Sequence, residues 1–284
     1  MLRVHSRFFF ASVLFSLCAL YVPTEAQQPR ALNEEFRLHT KFHSKFLPKD
    51  RDVIVWLPPG YASESAKRYP VLYMHDGANV FVLWRIDEIA KPLITSQEVE
   101  PMIIVMVPHG GTQDDRFDEY TPTKPPNFKS GGKLDSYGRM LVEELKPFID
   151  SEYRTLTDPG NTGLGGASLG GIASLHLGLK YPTVFGKLAV MSPSLWWDSK
   201  LILRNAKELK SKPALRIWLD IGTDEGQRFV DDVKELRNAF VKKGWVLNSD
   251  LVFFEAKGSG HNEEAFARRA EPMLKHLFPK AGNK

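Results

Sequence analysis

Cysteine is almost absent from this chain, which has one among 284 residues, and neither sign of charge dominates. A disulfide framework is therefore excluded, because it needs several cysteines in a short chain. The 38 basic and 34 acidic residues leave a net charge of only +4, spread too evenly to indicate a nucleic-acid partner. With 43% hydrophobic and 25% charged residues, the composition is that of an enzyme-sized globular domain and excludes collagen and global disorder.

Long apolar runs are also missing, apart from one near the N-terminus. Arg3 and Arg7 precede the 15-residue run 8–22, and the segment 24–26, Thr-Glu-Ala, follows it with small residues at its first and last positions. This is the three-part pattern of a secretory signal peptide, and 15 residues are short for a membrane span. We therefore predict a signal peptide over 1–26 in preference to an uncleaved signal anchor.

Cleavage after residue 26 would remove the only cysteine, Cys18. We expect residues 27–284 to form a single exported domain, periplasmic or extracellular, with no membrane segment in the mature form. A domain of this size can be stable through its core alone, without disulfides.

The rest of the chain alternates between strand-like and helix-like segments. Short apolar or alternating runs predict strands over 36–46, 53–57, 71–74, 102–107, 189–191, 215–221 and 251–254. Longer amphipathic patterns predict helices over 83–94, 134–149, 169–180, 227–243 and 262–278. This alternation favours an α/β fold with a mainly parallel central sheet, helices on both faces and an antiparallel start. The stretch 109–132, rich in glycine and proline, is predicted as a loop.

Residues 166–170, Gly-Ala-Ser-Leu-Gly, form a G-x-S-x-G motif. Such a motif holds a serine hydroxyl on a sharp strand-to-helix turn, where side chains at the two glycine positions would collide across the turn. The motif is short, but it stands directly between a strand-like segment and the predicted helix 169–180. We interpret Ser168 as a candidate nucleophile.

A serine nucleophile needs a histidine base and an orienting carboxylate, which follow it in that chain order as Asp or Glu and then His in one class of hydrolases. His261 directly precedes the last predicted helix. Asp224 and Glu225 lie in the turn after a predicted strand, and Asp220 lies inside that strand. Because open α/β sheets place their sites at the carboxyl ends of strands, the residues predict His261 as base and leave the acid open among the three carboxylates.

Backbone N–H donors must stabilise the oxygen that becomes negative when a carbonyl is attacked. One is the amide of Leu169, directly after the candidate nucleophile, and the other is expected in the loop after the strand 71–74. Gly77 would let that backbone pass close to a substrate, so we predict the amide of Gly77 or Ala78 as the second donor.

Metal and cofactor motifs are missing: the sequence has neither H-E-x-x-H nor G-x-x-x-x-G-K-[ST]. His39 and His43 lack patterned Cys, Asp or Glu partners, so no metal or cofactor is predicted. The pair Trp196 and Trp197 follows the strand beside the candidate nucleophile strand. It has two interpretations, core packing or an aromatic wall against a planar or sugar-like acyl ester.

Several segments together resemble the Putative esterase family of α/β hydrolases, which includes feruloyl esterases, enterochelin esterases, S-formylglutathione hydrolases and mycolyltransferases. The segments that carry the resemblance are 55–61, 69–77, Arg116 with 119–122, 166–171, 192–197, 222–225 and 258–261. The resemblance implies the α/β-hydrolase fold, with Ser168 as nucleophile and His261 as base. The Gly-Thr-x-Glu turn of 222–225 implies Glu225 as acid in preference to Asp224. Ala78 departs from the glutamine often found in relatives of the Asp-Gly type.

These expectations combine into an exported serine carboxylesterase that forms an acyl-enzyme and needs no cofactor. Its substrate would be a small-molecule ester with a bulky or aromatic acyl group, of the feruloyl or siderophore type. Two alternatives stay open: acyl transfer at the same site, and a non-catalytic exported protein that binds a siderophore or glycan on a hydrolase scaffold. The natural ester and the oligomeric state stay open as well.

Overall fold

The computed structural model describes residues 30–280, so the predicted signal peptide and Cys18 lie outside the described residues. Within this range the strands are β1 Phe36–Phe42, β2 Arg51–Trp56, β3 Val71–Met74, β4 Ile103–Met106, β5 Thr162–Ala167, β6 Lys187–Met191, β7 Arg216–Gly222 and β8 Leu251–Ala256. They form one sheet in the order β1-β2-β4-β3-β5-β6-β7-β8. β2 pairs antiparallel with β1 and β4, and all other neighbours pair parallel. The mainly parallel sheet with an antiparallel start is therefore confirmed.

The α-helices of the same range are α1 Gly77–Asn79, α2 Ile86–Thr95, α3 Gln113–Tyr120, α4 Leu134–Arg139, α5 Lys146–Glu152, α6 Leu169–Lys180, α7 Leu201–Glu208, α8 Gln227–Lys242 and α9 Glu263–Leu277. π-Helical turns span Val80–Trp84 and Met140–Leu145, and 3-10 turns span Pro159–Asn161 and Thr223–Glu225. None of the helices within residues 30–280 is both long enough and apolar enough to cross a bilayer.

Alternate residues of the central strands pack into two separate hydrophobic cores. In β3, Val71 and Tyr73 belong to the core that buries residues of α3 to α8. Leu72 and Met74 belong to the other core, with α2 and α9. The sheet is therefore covered by helices on both faces, as predicted.

The predicted elements differ from the structure mainly where the apolar pattern is weak. The strand 71–74 and the helix 169–180 are confirmed, whereas the predicted helix 134–149 is divided into α4, a π-helical turn and α5. The predicted loop 109–132 contains α3, whose N-terminus is capped because the Thr112 hydroxyl accepts from the Asp115 amide at 3.2 Å. Most residues of α3 are polar, so the sequence shows no apolar stripe there. The short helix α7 was not predicted either.

His75 directly follows β3 and is buried beneath the turn between β5 and α6. Its Nδ1 lies 2.9 Å from the Tyr137 hydroxyl, and its ring centroid lies 5.2 Å from that of Tyr120. Its Nε2 has no hydrogen-bond partner among the described residues. Burial lowers the pKa of His75 from 6.5 to about 4, so this imidazole is neutral at pH 7.

We expect His75 to make the fold less stable as the pH falls. The unfolded chain takes up this proton near pH 6.5 and the folded chain only near pH 4. The unfolded state therefore binds more protons in this window. The free energy of unfolding falls by about 3 kcal/mol between pH 7 and pH 4. Urea denaturation at several pH values should show that the free energy of unfolding of His75→Gln falls less over this window than that of the wild type, by about this amount.

The matched control is His43→Gln, because the His43 side chain is 78% exposed. This variant should follow the wild-type pH dependence. A His75→Gln curve that also runs parallel to the wild type would contradict the prediction.

Candidate active site

Ser168 lies on the sharp turn that joins β5 to α6. Its backbone has φ +60° and ψ −118°, a strained conformation for a residue other than glycine. A Cβ on Gly166 would lie 3.1 Å from the Gly170 backbone and 3.0 Å from the Cβ of His75. The predicted crowding across the turn is therefore seen at Gly166, whereas a Cβ on Gly170 would meet His75 at 3.2 Å. The half-buried Ser168 is presented at the carboxyl end of β5.

His261 and Glu225 are joined by a hydrogen bond of 2.6 Å from Nδ1 to Oε2. The Glu225 side chain is only 2% exposed, whereas that of His261 is 44% exposed. Burial alone would raise the pKa of Glu225, but hydrogen bonds from His261, Ser192 and the Gly222 amide outweigh it and hold this pKa below its usual value. The carboxylate is therefore charged at neutral pH and faces an imidazole that water can reach.

The two other candidate carboxylates form no hydrogen bond or ion pair with His261 in the described chain. Asp224 is exposed and accepts from the Thr223 hydroxyl at 3.1 Å. Asp220 is completely buried and accepts from the Trp218 indole at 2.6 Å and from the Arg269 guanidinium at 2.6 Å. Burial raises the pKa of Asp220 to about 6.

The hydroxyl of Ser168 lies 3.1 Å from that of Ser194, within hydrogen-bond distance. In the described chain, Ser168 and His261 are not joined by a hydrogen bond. Ser194 lies between Ser168 and the pair of His261 and Glu225, because it also lines a cavity of about 110 Å³ together with that pair.

The candidate amide donors lie at the starts of two helices, where N–H groups have no carbonyl partner within the helix. Leu169 is the first residue of α6 and Ala78 the second of α1. The Gly77 amide instead donates to the Val107 carbonyl at 3.1 Å. A Cβ on Gly77 would lie 2.5 Å from the backbone of Met106, so the close approach of α1 to β4 requires a glycine here. The predicted approach of a substrate to this backbone stays a prediction.

The two tryptophans have different environments. Trp197 has no exposed surface, stacks on Phe117 at a ring distance of 5.5 Å and donates its indole N–H to the Thr123 carbonyl. Trp197 is a core residue, so of the two interpretations core packing applies to this ring, and its predicted role in binding substrate is not supported. Trp196 is half-buried and lines the 110 Å³ cavity, together with Phe229.

Ion pairs and hydrogen bonds tie the loop after β3 to neighbouring elements. Asp76 accepts from Nε and Nη2 of Arg116 at 2.7 and 2.8 Å. Glu263, two residues after the candidate base, accepts from Nδ2 of the Asn79 side chain at 2.7 Å and from the Trp84 indole at 2.5 Å. The start of α9 is thereby held against the segment that carries Ala78.

Sequence reasoning missed three residues that surround Glu225 or Ser168. Ser192 and Arg269 both donate to Glu225, and Ser194 contacts Ser168. Arg269 had a detectable signal, because it interrupts the apolar stripe of α9 between Phe266 and Met273. The two serines stand in an ordinary turn sequence and carry no such signal.

Metal-binding groups of three or more His, Cys, Asp or Glu side chains do not occur within residues 30–280. His39 and His43 have other partners, the Tyr153 hydroxyl at 2.6 Å and Asp50 at 2.8 Å.

Comparison with known proteins agrees with this architecture. The family model described as Putative esterase matches residues 44–277. The uncharacterized protein YbbA of Bacillus subtilis is 26% identical over 243 residues, which cover 81% of this chain and 94% of that protein. The endo-1,4-beta-xylanase/feruloyl esterase of Xylanibacter ruminicola is 27% identical over 254 residues, which cover 84% of this chain and 30% of that protein.

Solved structures show the same fold. The enterobactin esterase FES of Shigella flexneri, determined in the presence of enterobactin, superposes with a TM-score of 0.73 at 18% identity, covering 88% of this chain and 60% of that one. With the family match over most of its length, the chain belongs to the Putative esterase family and is a carboxylic ester hydrolase of the α/β-hydrolase fold.

Proposed function

We propose that this protein is an exported serine carboxylesterase whose catalytic triad is Ser168, His261 and Glu225. The observation that carries the proposal is the 2.6 Å hydrogen bond between His261 and the buried Glu225. This pair lies beyond the carboxyl ends of β7 and β8, on the same edge of the sheet as the strained turn of Ser168. Chain order and geometry agree with the roles of nucleophile, base and acid.

The proton positions follow from the donors and acceptors of the site. An ionised carboxylate can only accept, so Nδ1 of neutral His261 carries the proton and Nε2 keeps its lone pair. In the first step the Ser168 hydroxyl turns from Ser194 towards Nε2, gives up its proton there and attacks the ester carbonyl carbon. His261 then passes the proton to the departing alcohol, and water cleaves the acyl-enzyme by the same route.

The oxyanion of the tetrahedral intermediate is assigned to the amides of Leu169 and Ala78. The alternative donor, the Gly77 amide, is occupied by the Val107 carbonyl. A donor that is already oriented by the helix start stabilises the developing charge without rearrangement. Because the donor is a backbone group, the side chain at Ala78 does not affect this role.

The acyl group is proposed to lie against Trp196 and Phe229, which line the cavity beside His261. Flat aromatic surfaces stack on planar acyl groups, so feruloyl-type and catechol-type esters suit this wall better than short aliphatic esters. The relatives named for feruloyl and enterobactin ester hydrolysis support this choice of substrate class. The exposed His261 leaves room for water to reach the acyl-enzyme, as hydrolysis requires.

The triad is tested with three variants assayed on an aryl ester. Ser168→Ala should abolish turnover, and Glu225→Gln should lower kcat by about 10²- to 10⁴-fold, because the imidazole loses the charge that stabilises its protonated form. Asp224→Asn is the matched control, since Asp224 is the adjacent carboxylate and faces solvent. It should keep kcat within about twofold of the wild type, as surface substitutions do. Full activity in Ser168→Ala, or a larger loss in Asp224→Asn than in Glu225→Gln, would refute the assignment.

Export is proposed from the N-terminal pattern, with residues 27–284 as the mature single domain. The full-length chain, produced in a bacterial host, should yield a secreted or periplasmic protein whose intact mass corresponds to a start at Gln27. Ala26→Phe is the control, because a bulky residue at the last position of the signal should block processing. A wild-type protein that keeps the mass of all 284 residues would contradict cleavage.

A further inference from the structure

Arg269 on α9 is a buried cation between two buried carboxylates. Its side chain is 2% exposed, that of Glu225 is 2% exposed and that of Asp220 is fully buried. Nη1 donates to Asp220 Oδ1 at 2.6 Å and to the Ser192 hydroxyl oxygen at 2.9 Å, and Nη2 donates to Glu225 Oε1 at 3.5 Å. Burying a cation is costly unless nearby acceptors compensate it, and here two carboxylates and a hydroxyl do so.

Ser192 completes the connection between the two carboxylates. Its hydroxyl donates to Glu225 Oε1 at 2.6 Å while it accepts from Arg269, and its amide donates to Asp220 Oδ1 at 3.0 Å. Because the hydroxyl accepts from the guanidinium on one side, its single proton is directed to Glu225 on the other. The backbone of Ser192 has φ +39°, an uncommon value that these contacts hold in place.

The two oxygens of Glu225 are consequently used in different ways. Oε1 receives three donors, which are the Ser192 hydroxyl, the Gly222 amide at 2.8 Å and Arg269. Oε2 has His261 as its one hydrogen-bond donor within residues 30–280. With one oxygen fixed, the carboxylate cannot rotate, and the other oxygen stays in line with Nδ1 of His261.

We propose that Arg269 and Asp220 are positioning residues that hold Glu225 in the orientation required by His261. Asp220 fixes the guanidinium, and the guanidinium acts on Glu225 directly and through Ser192. Neither residue touches the substrate. This inference rests on the proposed triad of Ser168, His261 and Glu225.

The test removes both charges at once with the double variant Asp220→Asn/Arg269→Gln. A single neutral substitution would change the net charge of the buried cluster and leave one charge uncompensated, whereas the double substitution keeps the net charge and should cost less stability. We expect kcat to fall by about 10- to 100-fold with KM nearly unchanged, because a displaced Glu225 impairs the chemical step and not binding. The far-downfield proton resonance of the short Nδ1–H···Oε2 hydrogen bond should weaken or move upfield in the proton NMR spectrum.

The matched control is Arg51→Gln/Glu119→Gln, a second buried arginine–carboxylate pair whose side chains are 1% and 5% exposed. It does not contact Glu225. Its free energy of unfolding should fall by a similar amount while kcat and the downfield resonance are retained. If the Asp220/Arg269 double variant does not fold, Arg269→Lys is measured instead. This variant keeps the charge, but its single nitrogen lacks the planar fork with which Arg269 reaches Asp220, Ser192 and Glu225 from two nitrogens. Its kcat should therefore also fall, but by less than in the double variant.

A folded Asp220/Arg269 variant, or a folded Arg269→Lys, with wild-type kcat and an unchanged resonance would show a purely structural role and overturn the proposal. Ser168→Ala is assayed in parallel to distinguish failure of the proposed triad from failure of the positioning role. Full activity in Ser168→Ala would refute the triad itself. An inactive Ser168→Ala together with fully active Arg269 variants would refute only the positioning role.

Discussion

The strained backbone of Ser168 is the constraint on which the rest of the site depends. A residue with φ +60° and ψ −118° is held there only because β5 and α6 are both fixed around it. Gly166 and Gly170 leave room for each other and for His75, so the turn closes without a clash. The neutral His75 fills the space beneath the turn, and its burial links the stability of this region to pH. The hydroxyl is therefore presented at the edge of the sheet by the packing of its central strand.

The second constraint is the contrast between a buried carboxylate and an exposed imidazole. Glu225 is almost completely enclosed, and His261, which is bonded to it, is nearly half exposed. Below them, Asp220 and Arg269 compensate each other's charge, so the buried group carries one net negative charge directed at the imidazole. A charge in this dry environment stabilises a protonated histidine more strongly than the same charge in water would. The exposed face of His261 remains accessible to solvent.

Much of this arrangement could be predicted from the sequence, since it follows from local rules. Apolar periodicity predicts the strand 71–74, the helix 169–180 and the parallel sheet. Turn chemistry and chain order predict Ser168 and His261 as site residues. The choice of Glu225 over Asp224 could not be derived locally, because adjacent residues in a turn point in different directions that only tertiary packing selects. Arg269 and Ser192 meet Glu225 from distant segments of the chain, a proximity that no local pattern encodes. Helix α3 was not predicted because it lacks an apolar stripe. It is stabilised by its N-terminal cap and by the burial of Glu119 and Tyr120 at its C-terminal end.

The most direct measurement is covalent labelling of the wild-type protein with a fluorophosphonate probe, followed by peptide mass analysis. An activated serine reacts with such a probe, whereas an ordinary serine does not. Ser194 serves as an internal control, because its hydroxyl lies only 3.1 Å from that of Ser168 but has no assigned base. The account predicts one label per chain, located on Ser168. A folded protein that remains unlabelled, as expected of a non-catalytic binder, or that carries the label on Ser194 would contradict it.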